Sequence, residues 1–145
     1  MKMTSLRLLL LAAPLAVLSL AACSDDDSFS ASPDHRLAFS ADTVSLDTTF
    51  SRVPTTTRTF WVYNRSGDGL RCTSVRLRKG NQTGFRVNVD GMYLGQASGY
   101  QVGGVELRKD DSLRVFVELT SADTHSEVPE LLEDDLVFTL ESGVE

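Results

Sequence analysis

Ser112-Leu113-Arg114-Val115-Phe116-Val117-Glu118-Leu119 is the stretch that decides the fold. Leu113, Val115, Val117 and Leu119 alternate with Arg114, Phe116 and Glu118. A period of two puts the aliphatic residues on one face of an extended strand, whereas a helix would scatter them around its surface. The same alternation recurs outward from this segment. Phe85, Val87 and Val89 alternate ahead of Asp90-Gly91, Phe60 and Val62 alternate within Thr57–Asn64, and Leu136, Phe138 and Leu140 alternate near the end. Short strands punctuated by Gly-, Asn- and Asp-containing turns predict an all-β fold, with a sandwich as its architecture.

Further strand signals fill the gaps. Leu37 and Phe39 start a short strand, Val44 and Leu46 alternate in Thr43–Asp47, and Val105 and Leu107 follow Gly103-Gly104. Asn64-Arg65-Ser66-Gly67-Asp68-Gly69 reads as a turn. Leu70 and Cys72 share one parity and Val75 and Leu77 the other, so a β-bulge or bend is expected near Thr73-Ser74. Residues 90–104 read as a long glycine-containing loop, and Val128–Glu133 as a helical turn at most. Ser142-Gly143 begins a turn after Leu136–Glu141, and a hairpin partner is expected to follow. The sandwich, residues 37–145, therefore reads as lacking its last strand and a C-terminal domain beyond it. The alternative is a sandwich closed by the strands present.

Leu37-Ala38-Phe39-Ser40, Thr43-Val44-Ser45-Leu46-Asp47 and Phe60-Trp61-Val62-Tyr63-Asn64 carry a resemblance, together with Leu70–Leu77. Phe85-Arg86-Val87-Asn88-Val89-Asp90-Gly91 and Asp111-Ser112-Leu113 fit it as well. The chain resembles the N-terminal immunoglobulin-like module of Bacteroidota-type surface lipoproteins. The resemblance covers roughly residues 37–142. It implies an immunoglobulin-like β-sandwich that carries, rather than performs, a function. In many relatives a large repetitive β domain follows.

The first residues read as a secretory leader. Lys2 and Arg7 precede an apolar run from Leu8 to Leu20, and Leu20-Ala21-Ala22-Cys23 closes it. The run of about 13 residues would cover about 20 Å, short of the roughly 30 Å hydrocarbon core. The pattern resembles a bacterial lipobox. It implies that residues 1–22 are removed and that Cys23 becomes a lipidated N-terminus anchored in the outer membrane. Acyl chains of this kind hold a protein to a bilayer through about 0.8 kcal/mol per buried CH₂. Ser24-Asp25-Asp26-Asp27 looks like the acidic surface-export signal of such lipoproteins, which places the protein on the extracellular side. The competing account is a solvated acidic spacer. Residues 23–36 as a whole read as a flexible tether.

From Cys23 onward the chain keeps 12 basic and 20 acidic residues, a net charge of −8. That balance excludes nucleic acid and anionic headgroups as expected partners. With Cys23 acylated, Cys72 has no disulfide partner, and its alternation with Leu70 predicts a buried, inert thiol.

Catalysis finds little footing. His35 lies in the tether and His125 in a polar loop beside Asp123 and Glu127. Glu106 and Glu118 face outward on strands with nothing to fix their separation. No enzyme activity, metal or cofactor is expected. Trp61, Tyr63 and Phe116 are out of phase with the buried set of their strands, and Tyr93 and Tyr100 lie in the long loop. These five are candidate ligand-binding residues for a glycan or protein, stacking through their rings. Cover by the tether or by a downstream domain is the other account of the strand aromatics. Thr43, Thr48 and Ser112 follow Asp in a pattern similar to the O-glycosylation motif of Bacteroidota-type exported proteins; turn chemistry explains the same pairs. The expected role is a non-catalytic spacer or interaction module, with carbohydrate or glycoprotein binding as the alternative.

Overall fold

A computed structural model describes residues 28–80, 82–123 and 128–145. The leader, Cys23, the acidic run Ser24–Asp27 and His125 lie outside these residues. Alternation becomes hydrogen-bonded strand nearly everywhere it was expected. The strands are β1 (Leu37–Phe39), β2 (Arg58–Asn64), β3 (Leu70–Leu77), β4 (Phe85–Val89), β5 (Met92–Tyr93), β6 (Gln101–Val102), β7 (Val105–Leu107), β8 (Ser112–Leu119) and β9 (Leu136–Leu140). The one helical element among the described residues is a 3₁₀ turn at Gln96–Ser98.

Two antiparallel sheets form. The first has the order β1-β2-β8-β4-β5. The second is built on β3, which pairs β9 along one edge and both β6 and β7 along the other. Their inner faces meet in one core. Phe60, Val62, Val87, Val89, Leu113 and Val115 of the first sheet pack with Leu70, Cys72, Val75, Leu107, Phe138 and Leu140 of the second. The protein is an all-β sandwich, as its period-two sequence predicts. Each fully buried aliphatic side chain contributes about 1.5–3 kcal/mol, so the alternating positions supply most of the driving force.

The expected bulge is present. The β3–β9 register shifts between Cys72 and Ser74. The extra residue turns Leu70 and Cys72, and then Val75 and Leu77, into the same core despite their opposite parity. The other edge of β3 breaks at the same level. β7 pairs Leu70–Cys72, β6 pairs Val75–Arg76, and Gly103-Gly104 joins them beside the bulge. A Cβ on Gly103 would come 2.7 Å from the Thr73 carbonyl oxygen, so only glycine lets the backbone pass this close.

Three segments depart from expectation. Thr43–Asp47 is irregular and joins no sheet, although Val44 packs on the core. Its side chains alternate while its backbone has no ladder to enter. Residues 90–104 contain β5, the 3₁₀ turn and β6 instead of a plain loop, and Leu94 within them is fully buried. Val128–Glu133 forms no helical turn; Val128 and Leu131 are exposed and Pro129 limits helix growth. Part of the stretch read as a tether also lies against the sandwich. The Ser30 amide donates to Gly69 O and the Gly69 amide to Ser28 O, both at 2.9 Å, and Phe29 lies 4.8 Å beneath the Arg71 guanidinium.

Asn64 closes one end of the sandwich. It ends β2 and is 1% exposed. Its Nδ2 donates to the carbonyls of Asp68 (2.8 Å), Leu107 (3.1 Å) and Arg108 (2.9 Å). Its Oδ1 accepts from the Ser66 amide at 3.0 Å and the Ser66 hydroxyl at 2.6 Å. One side chain on the first sheet thus holds its own following turn and the end of β7 in the second. Asn64→Ala leaves these groups without their partner inside a buried site, a loss of about 3 kcal/mol. Urea denaturation should show that loss as a lower midpoint with an unchanged slope; an unchanged midpoint would mean water replaces the side chain at no penalty.

Candidate functional site: an arginine–aromatic face

The outer face of the first sheet collects most of the candidate residues. Antiparallel register decides which side chains meet. Trp61 on β2 stands opposite Arg114 on β8, and Phe116 stands between Thr59 on β2 and Asn88 on β4. Asn88 in turn stands opposite Tyr93 on β5. The inward positions of these strands are filled by the core, so Trp61, Arg114 and Phe116 project to solvent. Trp61 is 41%, Phe116 37% and Tyr93 49% exposed.

Arginines cover the rings. The Arg114 guanidinium lies 5.5 Å from the Trp61 ring and 5.1 Å from the Phe116 ring. Arg86 lies 5.9 Å from Tyr93, and Arg65 5.2 Å from Tyr63. Cation–π pairs at such exposed sites are worth about 0.5–1 kcal/mol each. Their value here is positional, because stacking holds long side chains in defined places. Arg86 also pairs with Glu118 at 3.3 Å, and the Thr57 hydroxyl donates to Glu118 at 3.3 Å. Thr57, Arg86, Asn88, Tyr93, Phe116 and Glu118 line a shallow depression of about 210 Å³.

Four of the five candidate aromatics therefore share one sheet face. Tyr100 does not; it precedes β6 at the edge of the other sheet. The two outward carboxylates are also separated by the fold. Glu106 is on the outer face of the second sheet, paired with Arg71 at 2.8 Å, whereas Glu118 is on the outer face of the first. Thr43 and Thr48 are exposed on irregular backbone, while Ser112 is half-buried in β8 opposite Tyr63. Among the described residues, no group of three or more His, Cys, Asp or Glu could hold a metal ion, and no helix is long and apolar enough to cross a membrane.

The sequence pointed to the rings but not to the arginines. Arg114 was visible as an outward neighbour of Phe116, two residues away on the same strand. Its place beside Trp61 depends on the β2–β8 register, which connects residues 53 positions apart and leaves no local mark. Comparison with known protein families, with curated proteins and with solved structures finds no match to this chain.

Cys72 is fully buried, as its alternation with Leu70 predicts, and is a free thiol among the described residues. Burial pushes its thiol up to about 11. An unfolded chain releases the same proton near pH ~8.5. The thiol's stabilising contribution is therefore intact below about pH 8.5 and is lost as pH rises towards 11. Unfolding free energy should fall by about 1 kcal/mol per pH unit across that window, and the Cys72→Ala variant should lack this part of the slope. Identical alkaline slopes for the two proteins would contradict the burial account.

Proposed function

We propose that this protein is a non-catalytic interaction module of a lipid-anchored outer-membrane protein, with the arginine–aromatic face of its first sheet as the contact surface. Arg114 between Trp61 and Phe116 carries the reading. Trp, Tyr and Arg are the residues that most often dominate protein–protein binding energy. Here Trp61, Tyr63 and Arg114 sit on strands rather than on loops. Rings already covered by guanidinium groups are poor open platforms for a sugar. They suit a protein partner whose carboxylates or carbonyls engage the arginines while its apolar groups meet the ring edges. The strand order β1-β2-β8-β4 facing β3 and β9 supports an immunoglobulin-like arrangement, since ABED over C and F has this pattern.

Carbohydrate or glycoprotein binding is the second reading. The depression beside Tyr93 and Phe116 favours it, because an amide, a hydroxyl and an ion pair line a concave surface next to aromatic rings. Location follows from the leader: Cys23 anchors the protein in the outer membrane and Asp25–Asp27 direct it to the extracellular side.

Photo-crosslinking on intact cells tests the contact surface. A benzophenone amino acid at position 61 or 116 should give a discrete higher-mass adduct, and one at the exposed Lys109 should not. Equal labelling from all three positions would remove the face from consideration, and loss of the adduct on treatment with glycosidase would favour the glycan reading. The anchor is tested separately. Cys23→Ala should shift the protein from the membrane pellet to the soluble fraction; unchanged pelleting would rule out lipidation as the tether.

A further inference from the structure

The segment just before β1 is docked on β3, and its docking gives the sandwich an orientation. Phe29 forms an isolated parallel bridge with Gly69, the residue that leads into β3. The Gly69 carbonyl accepts from the Ser30 amide and the Gly69 amide donates to Ser28 O, both at 2.9 Å. Backbone groups of alternate residues point to the same side of a strand, and the Glu141 amide donates to Arg71 O. Gly69 therefore turns its groups to the side of β3 that carries β9. Ser28–Ser30 fills the place beside Gly69 that lies beyond the end of β9.

Side chains complete this docking. A Cβ on Gly69 would come 3.0 Å from the Phe29 ring and 3.0 Å from Ser28 O, so a glycine is what lets the segment approach. The Phe29 ring lies 4.8 Å from the Arg71 guanidinium, which Glu106 holds in turn at 2.8 Å. Parallel pairing adds a direction. The chain runs through Ser28–Ser30 as it runs into β3, so the residues before Ser28 lie towards the end of the sandwich closed by Asn64.

Cys23 lies five residues before Ser28, a reach of at most about 18 Å. An undocked tether running to Arg36 would reach about 45 Å. We infer that the Asn64 end of the sandwich, with the turns at 65–69 and 108–111, is the surface that faces the lipid headgroups; this rests on the reading of Cys23 as the lipid anchor. The eight residues of β8 span about 25 Å from this end to the other. At that other end the Arg52 amide donates to Ser121 O past the end of β8, and Phe50 beside it is 84% exposed. The docked segment holds this apolar tip away from the bilayer. The strands of the first sheet run between the two ends, so the arginine–aromatic face stands beside the membrane and stays open to a partner.

The test uses the full-length lipidated protein in vesicles that carry a nitroxide on their headgroups. A fluorophore is placed at Lys109→Cys, in the turn between β7 and β8, or at Gln82→Cys, in the turn between β3 and β4; Cys72 is buried and takes none. With about 25 Å of strand between the two turns, the label at 109 should be quenched at least about threefold more strongly. A flexible insert of about ten residues between Asp27 and Ser28 should erase the difference by lengthening the leash. The same insert between Pro33 and Asp34, past the docked segment, should leave the difference as it is without an insert. Equal quenching at 109 and 82 with the natural tether, or stronger quenching at 82, would overturn the proposal. So would equal effects of the two inserts, because the segment would then not be docked. Protein that fails to float with the vesicles would refute the anchor at Cys23 and the placement with it, an outcome distinct from the wrong end facing the lipid.

Discussion

The buried amide of Asn64 is the constraint on which the shape of this molecule depends. Hydrophobic burial drives the two sheets together, but it has no direction and would tolerate a sliding or splayed pair. Asn64 supplies direction. It is placed at the last residue of β2, and its Nδ2 reaches carbonyls of the turn after it and of the strand end across the core. A buried side-chain amide whose two N–H groups are shared among three carbonyls leaves little freedom to the groups it joins. The start of β3, the end of β7 and the Asp111 carbonyl, which accepts from the Asn64 amide at 2.9 Å, are all referred to this one residue. The bulge at Thr73-Ser74 completes the arrangement by bringing both halves of β3 onto the same core.

Much of the fold was legible because its signals are local. Alternation in 113–119, 85–89 and 136–140 needs no knowledge of partners, and the phase change within 70–77 announces the bulge from the sequence itself. Asn64 was legible only as part of a turn cluster. Nothing in its neighbourhood distinguishes a solvated turn asparagine from one buried at 1%, since burial is decided by Leu107 and Arg108 more than forty positions away. The same limit applies to Thr43–Asp47. Its alternation is real and Val44 does face the core, yet a strand also requires a neighbour with free backbone groups. Period predicts which side of a segment is buried; it does not predict whether a ladder forms.

The candidate site was legible in proportion to how far its parts act alone. Outward parity identified Trp61, Tyr63 and Phe116, and the structure adds Tyr93 to the same face while setting Tyr100 apart. The arginines change what these rings can do. An exposed aromatic row without them would be a hydrophobic patch and a liability for association. With Arg114, Arg86 and Arg65 laid on the rings, the face is positively charged within a chain whose overall charge is negative. That local reversal favours an acidic partner surface and disfavours self-association through this face. Glu118 tempers it at one end by pairing with Arg86.

The central claim is that this face is organised before any partner arrives. Proton NMR of Arg114 in the free protein measures it most directly. A guanidinium held between the Trp61 and Phe116 rings should show upfield ring-current shifts on its side-chain protons, and Trp61→Ala should remove part of that shift while leaving the core resonances in place. Random-coil shifts for Arg114 in the free protein would contradict the account, because the arginine would then sample solvent and the face would present loose charges over bare rings.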